Sequence, residues 1–182
     1  AVYMTNQGME DQTHWPYTMN PVAAIIAPFF LGLIADRYFS TEKVLGVMHL
    51  LGGVVMLLVP QTAANPTLFI GMMLLYNLCY MPTLGLANTL SFHNIEDQEK
   101  QFPVIRVFGT IGWIVAGLFI SFVLSGFVEG IPEATALPLY TTAIGSIALG
   151  LFCFTLPHTP PPAAGQKVDL RSIAGLDALK HL

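Results

Sequence analysis

The sequence predicts an all-α polytopic membrane protein, and two observations carry that prediction. The first is composition: 54% of the 182 residues are hydrophobic and only 10% are charged, against about 25% charged in ordinary soluble domains. The second is how the positive charge is sorted. Long apolar stretches divide the chain, and the gaps between them alternate in character. Arg37 and Lys43 share one gap, Lys100 lies in the next but one, and Lys167, Arg171 and Lys180 lie in the tail. Arg106 sits just inside the apolar stretch after Lys100. The intervening gaps carry Glu10, Asp11, Glu129 and Glu133 and neither Lys nor Arg. A soluble protein has no reason to sort charge this way; a polytopic one does, because Lys/Arg-rich loops stay in the cytoplasm.

Each span follows from its apolar length, since a bilayer core needs about 20 residues of helix. The first is expected at about 17–35, where Pro21 and Pro28 are tolerable in a membrane helix. The second, about 44–59, is short and is interrupted by His49 and the Gly52-Gly53 pair. The third, about 67–92, is long enough to cross with tilt. The fourth, about 103–125, opens on Pro103 at a plausible first helical position, and the fifth, about 137–156, stops at Pro157. The loops at 36–43, 93–102 and 157–182 are expected on the cytoplasmic side, and those at 1–16, 60–66 and 126–136 outside.

Trp15 reads as an interfacial anchor, and residues 1–4 as the last turn of a truncated first helix. The run PHTPPPAAGQ reads as an extended linker, and VDLRSIAGLDALKHL after it as a short amphipathic helix. Both ends read as cut, so the chain is expected to belong to a longer protein.

The charge pattern offers no basic patch for nucleic acid. Cys79 and Cys153 lie inside apolar stretches, as expected of buried or lipid-facing thiols, and no spacing points to a metal site or disulfide framework.

Polar chemistry concentrates in the fourth span, PVIRVFGTIGWIVAGLFISFVLSG. Arg106, Thr110, Trp113 and Gly117 fall on one helix face. A cation, a hydroxyl and an indole on one face suit a polar aromatic solute. Alternatively, Arg106 snorkels to the cytoplasmic interface from one turn inside the span. A buried Arg without partner or water costs about 2.5–3.5 kcal/mol or more, and no Asp or Glu lies in any expected span to pair with it. Gly109, Gly112 and Ala116 offer another helix a close approach.

The third span carries Asn77, Tyr80, Asn88 and Ser91 at helical spacing, with Pro82 marking an expected kink. These groups either line the same cavity or make interhelical hydrogen bonds, which average about 0.6 kcal/mol. His49 reads as a packed neutral histidine or as a proton relay. Asp36 beside Arg37 is either a solvated pair or a latch between helical bundles.

Together these segments resemble a known family. Gly32-x-x-Ala35-Asp36-Arg37 is similar to the signature loop of the major facilitator superfamily. YMPTLGLANTLSF (Tyr80 to Phe92) and FPVIRVFGTIGWIVA (Phe102 to Ala116) resemble its nucleoside:proton symporter family. TLPHTP (Thr155 to Pro160) and GLDAL (Gly175 to Leu179) match the end of that family's sixth helix and the linker after it.

The resemblance covers most of residues 20–182. It implies two six-helix bundles around a central cavity, with the chain covering helices two to six of the N-terminal bundle. It implies nucleoside:proton symport rather than enzymatic catalysis, with nucleosides such as uridine as solute and the proton as coupling ion. No cofactor or metal is expected. Arg106 and Thr110 would bind the nucleoside, Trp113 would stack on the base where bacterial members carry Phe, and Asn77 would line the pocket. Gly32, Asp36 and Arg37 would form the cytoplasmic latch. The coupling carboxylates would lie in a C-terminal bundle beyond this chain, and the location would be a bacterial cytoplasmic (inner) membrane. The alternatives are a facilitator for sugars or drugs, or a small self-contained membrane scaffold.

Overall fold

Inside a bilayer every backbone N–H and C=O must be satisfied within the protein, and the fold answers with helices. The computed structural model describes residues 1–161 and 164, and of residues 28–36 the backbone alone. The amphipathic helix expected after the linker, and residues 162, 163, 165 and 166 of the linker itself, lie outside the described residues.

The helices are α1 (Val2–Asn6), α2 (Trp15–Tyr38), α3 (Thr41–Leu58), α4 (Pro66–Asn94), α5 (Gln98–Leu118) and α6 (Leu137–Cys153). A 3-10 turn at Val59–Thr62 lengthens α3, and a π turn at Phe119–Val123 followed by a 3-10 turn at Leu124–Gly126 lengthens α5. By length and composition, Thr41–Thr62, Pro66–Asn94 and Gln98–Gly126 can each cross a membrane; α6 is apolar but shorter.

The element ends have local causes. α4 starts at Pro66, where the missing proline N–H costs nothing, and the Asn65 side chain accepts from Leu68 N at 3.2 Å as a cap. It then runs through Pro82 as one helix. Gly8, at φ 76° after α1, takes the left-handed conformation that glycine adopts most readily. α5 begins at Gln98, five residues before Pro103, because Asp97 and Gln101 cap an extra polar turn that hydropathy alone does not reveal.

α3 is the centre of the bundle. It packs on α6 and α4, and α4 packs on α2. The α3–α6 seam is built from glycines. A Cβ on Gly46 would lie 3.0 Å from the Gly150 carbonyl oxygen, and one on Gly150 would lie 3.0 Å from that of Gly46. Such contacts require small residues, because apolar lipid supplies little drive for helix association and close packing must do so. One core cluster joins Met4, Met9, Met56, Val59, Phe69 and Ala143, and a second joins Val44, Leu45, Leu86 and Cys153. The N-terminal segment therefore seals one end of the bundle, with Tyr3 stacked against Phe69 at 6.0 Å between ring centroids.

Candidate solute-binding face

α5 leaves the bundle through a well-defined turn. Asp97 Oδ1 accepts the Lys100 N–H at 3.1 Å, and Lys100 Nζ reaches Asp97 Oδ2 at 2.8 Å. Gln101 Oε1 accepts the N–H groups of Glu96 and Asp97 at 2.9 and 3.0 Å. This is a reciprocal cap of the capping-box type. The Lys100 side chain, and then its backbone N–H, hold the Asp97 carboxyl below the usual aspartate range. Phe92 and Phe102 close the corner with ring centroids 4.4 Å apart.

From that corner α5 is continuous to Leu118, so the stripe of Arg106, Thr110, Trp113 and Gly117 survives as a face, about 60° wide at 100° per residue. Thr110 Oγ1 donates to the Arg106 carbonyl at 3.2 Å, which leaves its lone pairs outward. Trp113 is 82% exposed, and no residue of α5 is buried. The expected close approach of a helix at Gly109 and Gly112 is not made by the described residues: added Cβ atoms there would meet nothing within 4 Å.

Asn77 sits elsewhere. It is 6% exposed, and Nδ2 donates to the Met73 carbonyl of its own helix at 2.9 Å. Tyr80 is exposed and stacks on Tyr76 with ring centroids 5.9 Å apart. Ser91 donates to the Ala87 carbonyl at 2.7 Å. Arg37 is half-buried in the last turn of α2; of Gly32 and Asp36 only the backbone is described. His49 faces Ser146 across the α3–α6 seam: Ser146 Oγ donates to the His49 carbonyl at 2.8 Å and lies 3.5 Å from its ring Nδ1. One polar cluster escaped the sequence reading. It joins Glu42, His158, Thr159 and Asn94, and a buried glutamate beside a helix start is hard to tell from a solvated one without the fold.

The comparisons with known proteins agree with one another. The sequence matches the family described as Nucleoside H+ symporter over residues 1–182. It is 44% identical over 170 residues to the putative nucleoside transporter YegT of Escherichia coli K12, and 35% identical over 166 residues to that organism's nucleoside permease NupG. The xanthosine permease of the same strain is 32% identical over 166 residues. These alignments cover 91%, 89% and 89% of this chain but 38% of each relative, so the chain spans well under half the length of the curated relatives it matches.

Two crystal structures of the nucleoside transporter NupG share the fold. One, of a mutant, gives a TM-score of 0.81 at 30% identity over 99% of this chain and 46% of that one. The other gives 0.74 at 33% identity over 91% and 40%. The architecture is therefore the all-helical major facilitator type, in a multi-pass membrane protein of a transporter family rather than an enzyme family. From sequence and fold together, the chain belongs to the nucleoside:H+ symporter family.

Proposed function

We propose that this chain forms most of the N-terminal bundle of a proton-coupled nucleoside transporter, with α2–α6 as helices two to six of twelve. The protein would work by alternating access in a bacterial cytoplasmic membrane. A nucleoside such as uridine would sit near mid-membrane, between this bundle and a C-terminal half of the same protein. The observation that carries the reading is the alignment of Arg106, Thr110 and Trp113 on one face of an unbroken α5, in a member of this family.

The chemistry follows from those three groups. The Arg106 guanidinium donates to sugar or base oxygens, the Thr110 hydroxyl adds a directed bond, and the Trp113 indole stacks on the base. A hydrogen bond to a charged group contributes about 1.5–3 kcal/mol, and an aromatic pair about 0.5–1.5 kcal/mol beyond its buried area. Asn77 is the member most in need of rearrangement, since it is 6% exposed and its amide already donates to Met73.

Arg106 lacks an acidic neighbour on this chain's apolar segments, so water in the cavity and the solute itself would offset its desolvation. The proton is the proposed coupling ion, carried by carboxylates outside this chain. Gly32, Asp36 and Arg37 would form a cytoplasmic latch when the cavity faces outward.

Uridine uptake by the full-length Arg106→Ala variant tests the reading. Uptake should fall to background while the amount of protein in the membrane stays at the parent level. Uptake near the parent rate rules out the assigned role.

A further inference from the structure

The basic end of the bundle carries a second built feature, unrelated to the solute stripe. α3 begins without help from its own N-cap: Ser40 has the extended conformation of a cap, but its side chain makes no capping bond. The first N–H groups of a helix need partners from elsewhere. Here the Thr41 N–H is taken by the Thr159 carbonyl at 2.9 Å.

Thr159 lies six residues beyond the end of α6, yet it is 1% exposed. Each of its polar groups is matched. Its N–H donates to Glu42 Oε2 at 3.0 Å, and its hydroxyl accepts from Asn94 Nδ2 at 3.0 Å and donates to the Pro157 carbonyl at 3.2 Å. Glu42 is 4% exposed, and its other oxygen meets His158 Nδ1 at 3.0 Å. A carboxylate taken this far from water survives only with bonds of this kind, and the first turn of a helix favours its charge. Asn94 is the last residue of α4, so one threonine ties the start of α3 to the end of α4.

We propose that residues 157–159 form a strap held down by Glu42, which moves the origin of the linker after α6 from Cys153 to Pro160. The strap closes the open end of α3 and makes the basic ends of α3, α4 and α6 one rigid piece. A threonine clamped to Glu42 and Asn94 passes displacement of the linker into α3 and α4, instead of losing it in slack after α6.

Amide hydrogen exchange on the full-length protein in detergent tests this, read on the peptide covering 154–161. A charged hydrogen bond lost from a buried site is worth about one to two powers of ten. Glu42→Ala should therefore speed exchange in that peptide by about tenfold to a hundredfold. Glu42→Gln should give a smaller rise, because an amide oxygen still accepts. His158→Ala should change it least, because that ring is 70% exposed and the main-chain bond remains. Peptides within α6 should keep their parental rates in all three. Unchanged exchange in Glu42→Ala would overturn the proposal. So would equal acceleration across α3, α6 and the strap in both Glu42 variants, which would mean that the carboxylate supports the whole bundle rather than a strap.

Discussion

Gly53→Ala isolates what the α3–α6 seam contributes. The added Cβ would lie 2.6 Å from Ile147 Cγ1, 3.0 Å from the Ala143 carbonyl oxygen and 3.1 Å from Ile147 N. Two of those three atoms are α6 backbone, which no rotamer change can move, and carbon contacts prefer about 3.5–4.0 Å. α6 must therefore step back by several tenths of an ångström. Overpacking of this kind costs about 1–3 kcal/mol, while alanine recovers about 0.5–1 kcal/mol of helix propensity over glycine. The balance is a loss of up to about 2.5 kcal/mol and about 1 kcal/mol at mid-range, the latter about 2–4 °C in the unfolding midpoint of a chain this size.

The assay is built into the sequence: Cys79 and Cys153 are buried free thiols, so a thiol-reactive dye reports unfolding during a thermal ramp in detergent at fixed scan rate. Gly71→Ala is the control, since a Cβ there would meet nothing within 4 Å; its midpoint should hold or rise slightly. A Gly53→Ala midpoint equal to or above the parent would refute close backbone packing as the basis of the seam.

Two further outcomes are expected. Trp113→Phe should keep uridine uptake within a few-fold of the parent, because a smaller ring still stacks, while Trp113→Ala should lose about tenfold or more in apparent affinity; a pair of variants with equal uptake would remove stacking from the account. Asp97→Ala should fray the first turn of α5, seen as severalfold faster amide exchange over 98–101. The same fraying should follow acidification of the parent. With the folded carboxyl below its ordinary value, the cap's contribution is full above about pH 3.9 and is lost as pH falls through the lower folded value. Exchange over 98–101 that ignores both changes would show that the cap does not hold the corner.

Apolar length made the long helices legible, since it acts through short-range sequence. The ends were less so. α5 starts five residues before Pro103 because Asp97 and Gln101 build a polar turn, and hydropathy marks only the apolar part of a helix. The stripe of Arg106, Thr110 and Trp113 needed nothing beyond an unbroken helix to become a face.

The surroundings of single polar side chains were not readable. Asn77 and Tyr80 lie three residues apart on α4, yet one is buried against its own backbone and the other is exposed. Only the packing of α2 and α3 around α4 decides between them. Small residues pose the same problem. Gly53 and Gly109 both sit in apolar helices, but α6 crosses α3 at one and nothing described crosses α5 at the other. The strap was hidden because its members, Glu42, Asn94 and Thr159, are separated by 52 and 65 positions and share no local pattern.

The separation of α5 from the rest of the described bundle bears on how such proteins could diversify. None of its side chains is buried against α2, α3, α4 and α6, so exchanging them leaves the interior formed by those four helices intact. If α5 reads the solute as proposed, selection can rewrite that surface while the four-helix frame keeps its stability, and preference for one solute over another can drift faster than the architecture.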